Sequence, residues 1–113
     1  MSEPPVFTRS YELALWAMRQ SVRFPRLYRP SLGAAMQERA LALLSQIAAA
    51  QFGSGRAESL RGAAESVDVL RVLVRLVKDL ELMDLRHYLV GSKTIDEIGR
   101  MIGGWRKQTQ GAR

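Results

Sequence analysis

Arg71 and Arg75 lie four residues apart and Lys78 follows three further on, so on an α-helix their side chains form one row along one face. The planar guanidinium of Arg makes bidentate contacts to carboxylate or phosphate, and the residues around this row are strongly apolar. An anionic ligand or an acidic protein surface is the natural partner of three cations held this way. Two further basic sets stand out. Arg19, Arg23, Arg26 and Arg29 follow one another with no acid between them, and Arg100, Arg106 and Lys107 run towards the C-terminus with Arg113 beyond. A charge run is also the ordinary make-up of a solvated face, and both readings stay open for these two sets.

Catalytic groups are scarce. Cysteine is absent and His87 is the single histidine, which excludes a disulfide framework, a thiolate metal site and a His cluster. There is no nucleophile-base pairing around His87, no H-E-x-x-H, no P-loop, and no pair of Asp/Glu-x-x-His motifs of the di-iron kind. The expectation is a protein that is not an enzyme and holds no metal or cofactor. Gly99 to Trp105 reads G-R-M-I-G-G-W inside a helical pattern, where glycines permit close helix packing instead of cradling phosphate. Trp16 and Trp105 fall on inward stripes, so burial accounts for them better than base stacking.

Charge supports an acidic partner: 17 Lys and Arg stand against 11 Asp and Glu, a formal +6, and fourteen of the seventeen bases are Arg. Met1 to Phe7 carries two prolines and an acid, with no basic stretch before an apolar run, and nowhere do ~18 apolar residues follow uninterrupted. Neither an export signal nor a membrane span is expected, and the lack of cysteine fits a cytoplasmic protein.

The elements that must position these residues are helices. A chain of 113 residues is enough for one core, and its apolar residues recur with helical spacing. The first helix is expected from Thr8 to Arg23 with Leu13, Trp16, Ala17 and Gln20 on one face, ended by Phe24-Pro25. After a basic connection from Arg26 to Pro30, Ser31 is expected to cap a second helix carrying Met36, Ala40, Leu43, Ile47 and Ala50 inward, stopped by Gly53-Ser54-Gly55. The third covers Arg56 to Met83. Asp84 caps the fourth, which stays in phase through Gly91-Ser92: Tyr88, Ile95 and Ile102 are seven apart, as are Leu85, Ser92 and Gly99. A continuous helix to Lys107 also puts Leu89, Ile98 and Trp105 on its inner stripe. The organisation expected is a tail over 1–7, an antiparallel up-down four-helix bundle over 8–108, and a frayed polar tail over 109–113.

The third helix carries more apolar surface than one core can cover. Asp68, Arg71, Arg75, Lys78 and Asp79 fill a polar arc of roughly 100°, while valines, leucines and Met83 spread over the rest. The surplus is expected to meet either a third helix of the same chain or a second copy, with Val69, Leu73 and Leu76 at the subunit interface.

These same residues carry a resemblance. Phe24-Pro25-Arg26 with Leu32-Gly33 after it, Leu70 to Arg75, Arg86-His87-Tyr88 and the run E-I-G-R-M-I-G-G-W from Glu97 to Trp105 resemble the accessory variability determinant proteins of diversity-generating retroelements, over roughly Tyr11 to Lys107. The resemblance implies a four-helix bundle assembling as a homopentamer. It further implies binding to the retroelement's reverse transcriptase and to RNA and DNA through basic surfaces, without marked sequence preference, in support of mutagenic retrohoming. Arg71 and Arg75 match the family's functional bases on the third helix. Ribosomal-RNA intervening-sequence proteins are similar bundles and remain the alternative, although the second helix here lacks their S-I-P-x-N-I-A-E-G stretch.

Overall fold

The structure is a computed structural model and describes residues 5–111. Four helices, α1 (Pro5–Ser21), α2 (Ala34–Phe52), α3 (Arg56–Asp79) and α4 (Leu85–Gly111), form an all-helical antiparallel bundle. α1 packs on α2 and α4, and α3 also packs on α2 and α4, so α1 and α3 occupy one diagonal of a square.

The apolar spacing of the sequence is the spacing of the core. Met36, Ala40, Leu43, Ile47 and Ala50 of α2 are all buried, facing Leu13 and Ala17 of α1, Leu70 and Val74 of α3, and Ile95, Ile98 and Ile102 of α4. Each such Leu or Ile contributes roughly 1.5–3 kcal/mol by leaving water. Polar side chains fix the heights of the helices against one another. Gln37 Nε2 donates to Ser21 Oγ at 2.6 Å, joining α2 to α1, and the Gln46 amide lies 2.7 Å from Ser66 Oγ, joining α2 to α3. The indole of Trp16 donates to the His87 carbonyl and lies across Gly91, tying α1 to α4.

Element ends depart from the expectation for local reasons. α1 begins at Pro5, not Thr8, because a fixed φ and a missing N–H suit the first helical position; Pro5 to Phe7 are therefore not tail. It ends at Ser21, and the N–H groups of Arg23 and Phe24 close a turn on Gln20 and Ser21. Ser31 caps nothing. A 3₁₀ turn (Arg26–Tyr28) and a π turn (Arg29–Gly33) run straight into α2, Gly33 itself being helical, and Ser31 Oγ donates back to the Tyr28 carbonyl.

α3 stops at Asp79, four residues before Met83. The Leu82 N–H bonds to the Val77 carbonyl and the Glu81 N–H to that of Lys78, with Glu81 left-handed at φ 59°. This is a Schellman ending made without glycine, secured by Leu82 packing on the core. α4 is continuous through Gly91-Ser92 as its phase required, and runs past Lys107 to Gly111, so Thr109 to Gly111 are helical; Ala112 and Arg113 lie outside the described residues. Leu89 does not join the inner stripe of Ile98 and Trp105 and is exposed instead, because it lies nearly half a helical turn around from Ile98.

Two substitutions test these contacts. Gly91→Ala raises helix propensity, yet its Cβ would fall inside the Trp16 ring, so a loss of about 1–3 kcal/mol in urea unfolding is expected. Glu81→Gly removes the cost of a left-handed non-glycine residue and should gain about 1 kcal/mol in the same measurement.

Candidate partner-binding surface

The row Arg71, Arg75 and Lys78 lies on the flank of α3 that faces α4, and acids accompany it. Arg71 reaches Asp96 of α4 at 3.3 Å and Asp68 at 3.9 Å, while Arg75 and Lys78 share Asp79 at 3.8 and 3.9 Å. The guanidinium of Arg71 can cross α4 because position 99 is glycine: a Cβ there would sit 2.8 Å from its Nη2. Lys78 Nζ stands 5.0 Å from the Tyr88 ring centroid and borders a surface hollow shared with Leu82, Met83 and Leu85. Exposed Leu85 and Leu89 lie on the same seam, so the row is an exposed, charge-compensated strip edged with apolar side chains. Such a strip suits a protein surface better than bare phosphate.

The other bases differ. Arg19, Arg23, Arg26 and Arg29 are exposed at the end of the bundle where α1 leaves and α2 begins, and make no ion pair among the described residues. Arg29 is anchored there, its Nε donating to the Phe24 carbonyl at 2.9 Å. At the opposite end Arg100 and Lys107 are exposed on one line of α4. Arg106 is half-buried beside Ala57, Leu60 and Arg61. The glycines of the G-R-M-I-G-G-W run divide: Gly99 admits Arg71, whereas none of the described residues stands within 4 Å of a Cβ at Gly103 or Gly104. Trp105 is half-buried, with the Arg56 guanidinium 5.5 Å from its ring centroid.

The outer side of α3 is as apolar as its sequence. It touches two helices instead of three, which leaves Val72 66% and Leu76 43% exposed, with Val69 and Leu73 half-buried in a groove between α3 and α2 that also holds Leu41 and Glu38. Among the described residues no cluster of three metal-binding side chains occurs, and no helix is long and apolar enough to cross a membrane. Sequence reasoning on single helices missed Asp96, Gly91 and the Arg9–Glu97 tie of 3.1 Å between α1 and α4, all of which act across helices. Their signal was there: Asp96 and Gly99 are neighbours on one flank of α4.

The bAvd-like family model matches residues 7–109. The chain belongs to that family. The bAvd-like match spans both the Arg71–Lys78 strip and the basic end of the bundle, and it aligns this chain with non-catalytic accessory proteins of diversity-generating retroelements. No curated protein matches it. His87 belongs to the start of α4: its N–H and Nδ1 both contact Asp84 Oδ1, at 2.9 and 2.8 Å, as part of the cap.

That cap is testable by pH. The His87 backbone N–H, and then its ring, hold the Asp84 carboxyl below its ordinary pKa. A lowered folded-state pKa gives stability that is complete above the ordinary carboxylate range and is lost as pH falls through the lowered value. Asp84→Ala should therefore unfold at lower temperature than wild type at neutral pH, the two converging in acid, while Asp84→Asn keeps a cap and flattens the acid slope.

Proposed function

We propose that this chain is a non-enzymatic accessory factor of a diversity-generating retroelement, binding its reverse transcriptase and the template RNA or complementary DNA to support mutagenic retrohoming. The observation that carries the reading is the bAvd-like match over 7–109. The charge pattern supports a division of labour. Arg71, Arg75 and Lys78, matched by nearby acids and edged by Leu85 and Leu89, form the reverse-transcriptase contact. The bases without acid partners among the described residues, Arg19, Arg23, Arg26 and Arg29 together with Arg100, Arg106 and Lys107, attract phosphate without reading bases. The apolar outer side of α3 supports self-association through Val69, Leu73 and Leu76, with five copies as in the family the sequence resembles.

The test is co-purification of an Arg71→Ala/Arg75→Ala variant with its reverse transcriptase. Exposed ion pairs contribute little to folding, so helicity should be unchanged, while affinity for the polymerase falls about 30-fold, or ~2 kcal/mol. Arg71→Lys/Arg75→Lys keeps the charge and loses the bidentate fork; it should fail nearly as badly. Arg26→Ala should leave co-purification intact and lower the log–log salt slope of RNA binding by roughly 0.7 to 0.9. Wild-type co-purification of the double Ala variant would move the polymerase contact elsewhere.

A further inference from the structure

A second apolar stripe lies on the diagonal opposite to α3. Tyr11, Leu15 and Met18 recur at steps of four and three and fall within about 60° of one line down the outer side of α1, and Val22, in the turn just past its end, follows four residues on. Tyr11 is 52% exposed, Leu15 37% and Val22 61%, and Met18 is half-buried. The line on α3 is Glu65, Val69, Val72 and Leu76, with the same steps.

The two lines stand at the same heights. Ser21 is level with Gln37, and Ser66 is level with Gln46, because those pairs are bonded. Gln46 lies nine residues along α2 from Gln37, which is nine residues back along antiparallel α1 from Ser21, so Glu12 is level with Ser66. Tyr11, Leu15, Met18 and Val22 are then level with Glu65, Val69, Val72 and Leu76 in turn. Of the two charged residues lining the groove, Arg39 donates to Ser66 Oγ at 3.3 Å and Glu38 is the one that can take a partner. Glu38 borders the groove beside α3 and has no cation partner among the described residues; being next to Gln37, it is level with the unpaired Arg19 and Arg23.

From this correspondence we infer that the α1 stripe of one copy seats on the α2–α3 groove of the next, with the two bundles side by side and pointing the same way. Equal heights meet only in that arrangement, which a rotation about an axis parallel to the helices generates. A two-fold axis across the bundle would reverse one copy and set Arg19 and Arg23 far from Glu38. The junction is head-to-tail, joining two different faces, so two copies leave one face of each kind open and further copies add until the rotation between neighbours completes a turn. Arg19 and Arg23 then lie at this junction, which narrows the phosphate-facing set proposed above to Arg26 and Arg29 at this end of the bundle. The inference rests on the self-association proposed above and specifies its faces.

Cysteine cross-linking tests it, since the chain has no cysteine of its own. Val22, in the turn after α1, and Leu76 of α3 are both exposed, on elements at opposite corners of the bundle that do not pack closely on each other, so a Val22→Cys/Leu76→Cys variant is not placed to bridge within one chain. On mild oxidation it should give a ladder of covalent multimers on a denaturing gel whose last rung counts the copies, and neither single variant should give any. A covalent dimer from one single variant would show a two-fold face and overturn the inference. So would a double variant that stays uncross-linked while light scattering finds it assembled; self-association would then stand with other faces. A wild-type monomer of 12.7 kDa in light scattering would overturn both.

Discussion

Four helices packed in a square, each packed chiefly on two neighbours, constrain the surface of this chain. Each helix can hide only the stripe that points at the common axis and the flanks that meet two neighbours. α1 and α3 both carry apolar residues beyond that limit, and because they are diagonal their surplus faces point away from each other. The polar flanks are equally determined: where α3 meets α4 the flank carries Arg71, Arg75 and Lys78, and Asp96 comes to them from the neighbour.

How much of this was legible depended on whether one helix or two had to be read. Met36 to Ala50 announced the core face of α2, and the seven-residue phase of Tyr88, Ile95 and Ile102 carried α4 unbroken past Gly91, because a periodic pattern is a property of one element. Ends were harder. Nothing in Leu80-Glu81-Leu82 marks a stop, since the residue that turns left-handed is a glutamate and the signal ordinarily sought there is glycine. Ser31 had the right type for a cap, but the chain before it was already helical, so no free N–H awaited it. The basic row was legible on α3 alone, whereas its compensation by Asp96 needed the pairing of α3 with α4.

Glycine has three different uses along α4. At Gly91 it makes room for an indole, at Gly99 for a guanidinium, and at Gly103 and Gly104 it leaves the helix surface open among the described residues. A glycine inside a helix costs about 1 kcal/mol relative to alanine, so the first two exchange local stability for a contact and the last pair exposes bare backbone to whatever approaches.

Arg71 meets the outside world already holding a carboxylate. Asp96 lies 3.3 Å from its guanidinium, and both side chains are about half exposed, so salt screens the pair and it contributes little to folding. Five N–H donors fan out from one guanidinium, and a single carboxylate leaves some of them to water. With its charge offset at short range, what Arg71 offers an incoming surface is planar geometry more than net charge.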